Sequence, residues 1–223
     1  MNTQKKSSYV LVHGGNMSTD TWNKLAEIKV CTPDCKMGGK VWNTIKPLIE
    51  ENDHLVFAPT LLDEHSSTLT EHIDQIKRLI LKNNLDDVVL VGHSYGGMII
   101  TGVAAEMPDR IRSMVYIDAA LPDPGQSLFD IIASGGCDPL SFNGLEPAAP
   151  YIEKLDFDAL KIKNIPKTYI LCTESIFADA TKVATEKIAS NREGWTYYEL
   201  KSSHVPMATM PKKLLKLLLK PES

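Results

Sequence analysis

Val88-Val89-Leu90-Val91-Gly92-His93-Ser94-Tyr95-Gly96-Gly97 is the stretch that decides the fold. A run of four apolar residues that stops at a glycine reads as a strand buried on both faces, as in a parallel sheet. Residues 98–106 then keep a helical pattern that stops near Pro108. A chain that passes from strand to helix within Gly-His-Ser-Tyr-Gly must turn very tightly, and bulky side chains at the two glycines would strike the strand or the helix. The turn lifts the Ser94 hydroxyl to the amino end of the helix, where backbone N–H groups favour developing negative charge. Gly-x-Ser-x-Gly in this strand–turn–helix setting marks Ser94 as the candidate nucleophile.

The same form recurs on both sides of the turn. Strands are expected at 9–12, 54–58, 114–117, 168–172 and 195–200. Residues 68–83 read as a helix, with Leu69, Ile73, Ile76 and Ile80 on one face and a Thr68/Glu71 capping box at its start. Residues 214–219 belong to a last helix after Pro211; the run at 212–220 reads as packed on the sheet rather than lying on a membrane surface. Alternating strands and helices predict an α/β fold: a mostly parallel central sheet of about six strands flanked by helices. Residues 1–223 are expected to form a single domain, about one and a half times a typical domain of about 150 residues. In such sheets ligands sit beyond the carboxyl ends of the strands, here just after Val12, Val91, Ile117, Cys172 and Leu200. Two stretches break the alternation: 23–41 reads as an inserted loop, and 121–167, rich in Pro, Gly and Asp, as a small lid.

Composition narrows the function classes. Apolar residues make up 43% of the chain, enough for a sizeable core. A net charge of -4 argues against nucleic-acid binding by phosphate neutralisation and gives no anionic-membrane signal. The apolar run before His13 is too short for a signal sequence or a membrane span, so a cytoplasmic protein is expected. Cys31, Cys35, Cys137 and Cys172 come without a secretory signal; the Cys31/Cys35 pair lacks a partner pair for a metal, and no metal or organic cofactor is expected.

A serine hydroxyl needs a base. His204 follows the last expected strand and comes last in the order Ser, acid, His, so it is assigned as base. His13 and His93 sit inside the two glycine motifs and read as structural. Three carboxylates near strand ends could hold the imidazole: Asp118, Glu174 and Asp179. Asp118 is preferred, with Glu174 next, because a charge that finishes an apolar strand is costly unless paired. Oxyanion donors are expected from the Tyr95 N–H and from the Gly14-Gly15-Asn16 loop, Gly15 first and Asn16 as the alternative. Trp22, Trp42, Phe129 and Phe142 suit an apolar pocket or the core equally.

These residues together resemble the α/β-hydrolase superfamily. Leu11-Val12-His13-Gly14-Gly15, the Ser94 turn and the late His204 recur there in this order. Val115-Tyr116-Ile117-Asp118-Ala119-Ala120-Leu121-Pro122 and Tyr169-Ile170-Leu171-Cys172-Thr173-Glu174 are similar to small esterases of the plant methylesterase and hydroxynitrile-lyase type and their bacterial relatives. Plant members place the acid just after Thr-Glu, where this chain has Ser175; other members carry it one strand earlier, which maps to Asp118. The lyases carry Thr and Lys where this chain has Gly14 and Val205, so the resemblance implies an esterase rather than a cyanohydrin lyase. The 23–41 loop is longer than the usual connection, and the antiparallel amino-terminal strands of larger members are expected to be absent. The expectation is a serine hydrolase of a small acyl substrate, with a homodimer left open. A ligand-binding protein with vestigial hydrolysis, an acyltransferase and a carbon–carbon bond hydrolase are the alternatives.

Overall fold

The computed structural model describes residues 6–15, 17–141 and 148–220, with 179 and 180 as backbone alone. Among them six strands run parallel in one sheet: β1 (Ser8–Val12), β2 (Leu55–Phe57), β3 (Val88–His93), β4 (Ile111–Ile117), β5 (Lys167–Cys172) and β6 (Trp195–Leu200). The helices are α1 (Thr19–Ala26), α2 (Lys46–Glu50), α3 (Leu69–Lys82), α4 (Gly96–Glu106), α5 (Leu128–Ser134), α6 (Ala149–Ile152), α7 (Ala178–Ser190), α8 (Pro206–Thr209) and α9 (Pro211–Leu218). Strand order is β2-β1-β3-β4-β5-β6. The chain leaves β1 in one direction for β2 and returns past it to β3. That reversal opens a crevice beyond the carboxyl ends of β1 and β3, where Gly14-Gly15 and Ser94 follow their strands.

Side-chain alternation along the strands divides the core in two. Val10, Val12, Val88 and Leu90 pack with α3, α4 and α5, whereas Tyr9, Leu11, Val89 and Val91 pack with α1, Trp42 and α9. Helix α3 carries the expected capping box at Thr68 and Glu71 and buries Leu69, Ile73, Ile76 and Ile80; each such side chain contributes about 1.5–3 kcal/mol. Helix α4 is buried from Gly96 to Ala105, which is why its sequence shows no polar face. In α9, Leu214 and Leu218 are buried against the sheet. Among the described residues no helix is long and apolar enough to cross a membrane.

Two stretches differ from the sequence reading. Within 23–41, the first residues finish α1, and Gly38–Trp42 forms a buried 3₁₀ turn. The two glycines there mark close approach, since a Cβ on Gly39 would meet the Ala58 carbonyl oxygen at 2.5 Å. Helix α7 was not anticipated at all: its buried positions include Thr181 and Ala184, which give little amphipathic signal. Between β4 and β5, α5 opens with a Ser127/Asp130 capping box, and an antiparallel bridge joins Gln126 to Leu155.

Candidate active site

Ser94 has φ of +54°, a left-handed conformation that a non-glycine residue adopts only under restraint. The restraint is visible on every side. A Cβ on Gly92 would lie 2.7 Å from the Gly96 carbonyl oxygen, and one on Gly96 would lie 2.6 Å from that of Val12. The Ser94 N–H donates to Ile117 O at 3.2 Å, and Ala120 N–H donates to Ser94 O at 3.0 Å. The turn is thus bolted to the end of β4, where Asp118 is also left-handed, with φ of +44°.

Asp118 is buried, and its Oδ2 accepts from His204 Nδ1 at 2.6 Å. Its Oδ1 accepts from the Cys172 N–H at 3.2 Å. The His204 ring lies between two others, His93 with centroids 4.5 Å apart and Phe177 at 4.3 Å. His93 Nε2 also holds the His204 carbonyl at 2.7 Å, and burial pushes the His93 pKa well below its ordinary value. A neutral His93 donates from Nε2 to that carbonyl. Among the described residues neither His204 Nε2 nor Ser94 Oγ has a hydrogen-bond partner.

The loop after β1 lies against the serine. A Cβ on Gly14 would be 2.7 Å from Ser94 Cβ and 3.2 Å from its Oγ, so only glycine lets this loop come so near. His13 fixes the loop: Nδ1 donates to Gly14 O at 2.7 Å, and Nε2 accepts from Leu61 N–H at 3.0 Å. The Leu61 bond needs the neutral ring, since only an unprotonated Nε2 can accept, and burial lowers the His13 pKa to about 4. Among the described residues the Gly15 and Tyr95 N–H groups have no acceptor. Asn16, the alternative donor, lies outside the described residues.

A profile of the Alpha/beta hydrolase family matches residues 9–158, spanning β1 to the connection before β5. The chain belongs to that family. The carbendazim hydrolyzing esterase of Nocardioides sp. (strain SG-4G) is 35% identical over 134 residues, 56% of this chain and 47% of that protein. Polyneuridine aldehyde esterase of Rauvolfia serpentina is 32% identical over 138 residues, 57% of this chain and 44% of that protein. The matched part thus spans about half the length, or less, of these curated relatives. The fold is shared with an extracellular α/β-hydrolase from a Paenibacillus species, at a TM-score of 0.71 and 21% identity over 96% of this chain and 98% of that one.

In this family member Ser94, Asp118 and His204 follow the carboxyl ends of β3, β4 and β6, but not every sequence candidate lies with them. Glu174 is exposed, 3.6 Å from Lys201. The Asp179 side chain and Phe142 lie outside the described part of the structure. Trp22 and Trp42 are core residues, their indole N–H groups buried without a partner, and Phe129 is half-buried beside Tyr151. Cys31 and Cys35 are exposed free thiols, and among the described residues no three His, Cys, Asp or Glu side chains cluster to hold a metal. His72, a helix residue to which the sequence gives no role, lies on the buried face of α3 and bonds the Tyr95 hydroxyl at 3.0 Å. Tyr151 and Phe177 were equally unmarked by any motif.

Proposed function

We propose that the chain is a serine hydrolase of carboxylic esters or related acyl bonds. Ser94 Oγ attacks the carbonyl carbon, and His204 Nε2 takes the hydroxyl proton. The tetrahedral intermediate collapses to an acyl-serine as His204 returns the proton to the leaving alcohol. Water then repeats the sequence, releasing the acid and the free enzyme. Asp118 holds the Nδ1–H tautomer and stabilises the imidazolium. The N–H groups of Gly15 and Tyr95 receive the oxyanion, each worth about 2.7–4 kcal/mol of transition-state stabilisation in comparable sites.

The observation that carries this reading is the 2.6 Å contact between a buried carboxylate and His204 Nδ1, beside a left-handed serine at the strand-order reversal. Relatives named as esterases support the same chemistry: besides the two above, methylesterase 8 of Arabidopsis thaliana is 33% identical over 100 residues. The test is labelling by a fluorophosphonate together with hydrolysis of short-chain aryl esters. Wild type should do both and Ser94→Ala neither. Unchanged turnover in Ser94→Ala would remove Ser94 from the mechanism. Products formed with water and with an added alcohol distinguish hydrolysis from acyl transfer.

A further inference from the structure

Tyr151, on α6 in the β4–β5 connection, is 1% exposed and touches the residues of both proposed oxyanion donors. A methyl on Gly15 would lie 2.7 Å from its hydroxyl oxygen and 3.5 Å from its Cζ, so the phenol rests directly on the Gly15 backbone. Its ring meets that of Tyr95 edge-on, with centroids 5.1 Å apart. The hydroxyl is itself anchored, donating to Glu64 Oε2 at 2.6 Å. Phe129 stacks on the ring from α5 with centroids 6.5 Å apart, and His72 steadies the far end of Tyr95.

An oxyanion hole is effective because its donors do not reorganise when charge develops. Gly15 has no side chain to hold its own peptide in place, and glycine has the widest backbone freedom. His13 secures the Gly14 carbonyl, which shares one planar peptide with the Gly15 N–H, and the phenol braces the Gly15 Cα at the other end of that unit.

We propose that Tyr151 is the positioning residue of the oxyanion hole: it wedges between Gly15 and Tyr95 and sets the spacing at which both N–H groups reach one oxygen. The inference rests on the reading of Ser94 as nucleophile. It also couples the β4–β5 connection to catalysis, because Glu153, two residues further on, accepts from the Thr70 N–H at the start of α3 at 3.2 Å and fixes where α6 sits.

The test compares an aryl acetate with its thionoester, whose sulfur accepts hydrogen bonds poorly and so gains little from the hole. Tyr151→Leu should lose about 100-fold in kcat on the oxoester, on the scale of one lost donor, with KM little changed, and far less on the thionoester. Tyr151→Phe keeps the ring and should show the same bias more weakly. Gly15 is not left-handed, so Gly15→Ala meets no backbone penalty, only the hydroxyl at 2.7 Å. Gly15→Ala should therefore be impaired, and adding Tyr151→Phe should restore much of the loss, since the nearest ring atom is then 3.5 Å away. Equal losses on the two esters, or a double variant no better than Gly15→Ala, would overturn the proposal. A wild-type protein that resists the fluorophosphonate would instead remove the Ser94 reading itself, and this inference with it.

Discussion

His204 Nδ1 and Asp118 Oδ2 face each other at 2.6 Å with both side chains sealed from solvent, 2% and 0% exposed. The second carboxylate oxygen is already taken by the Cys172 N–H. In Asp118→Asn that N–H keeps the amide oxygen on its side, and the amide NH₂ turns toward His204. A donor there forces the imidazole proton onto Nε2, which can then no longer accept from Ser94. The expected result is a fall in kcat of roughly 10⁴, the cost of the wrong tautomer in such a triad. Glu174→Gln, altering an exposed partner of Lys201, should leave kcat near wild type. Steady-state kinetics of the two variants on one aryl ester check this, and the opposite ranking would move the acid to Glu174.

Ser94 also holds strain that function requires. Its φ of +54° suits glycine better than serine. Ser94→Gly should therefore abolish ester turnover and at the same time stabilise the fold by about 1 kcal/mol, which in a chain of this size corresponds to a rise in Tm of about 2–4 °C. Thermal melts of wild type, Ser94→Gly and Ser94→Ala measure it. Ser94→Ala keeps the strained backbone, so a gain confined to the glycine variant identifies the backbone as the cause.

Much of this arrangement is legible in the sequence. The strands are readable because β1, β3 and β4 are buried on both faces over residues 9–12, 88–91 and 114–117 and are apolar there. The capping box of α3 was readable because it is a local hydrogen-bond pattern between Thr68 and Glu71. Asp118 stood out as a charge at the end of an apolar strand. Helix α7 is hard to read because its core face uses Thr181 and Ala184, which look no different from surface residues, and only Ile188 among its most buried positions is a large apolar residue. The buried turn at Gly38-Gly39 reads as a loop in the sequence, since glycine signals both exposed turns and close backbone approach. Tyr151 and Phe177 could not be found at all: their roles arise from where the β4–β5 and β5–β6 connections fold back, and no short motif encodes that.

The buried histidines make stability depend on pH in a definite direction. His13 is neutral in the folded protein with a pKa of about 4, against 6.5 when unfolded, because burial disfavours its charged form. Burial likewise lowers the pKa values of His72 and His93. Between the unfolded and folded values the unfolded chain binds more protons, so stability rises with pH across that window. The full contribution is present above pH 6.5 and is lost as pH falls toward 4. For His13 alone the loss is about 3 kcal/mol, at 1.36 kcal/mol per pH unit. Carboxylates with lowered pKa values, such as Asp63 and Asp130, add their share only below the ordinary aspartate range, so the window above it belongs to the histidines. Urea unfolding midpoints should drop steeply from pH 7 to pH 5. His13→Gln should be less stable than wild type at pH 7, having lost the bonds to Gly14 and Leu61, yet show a shallower pH dependence. A wild-type midpoint that stays level over this range would refute the assignment of His13 as a neutral, buried strut.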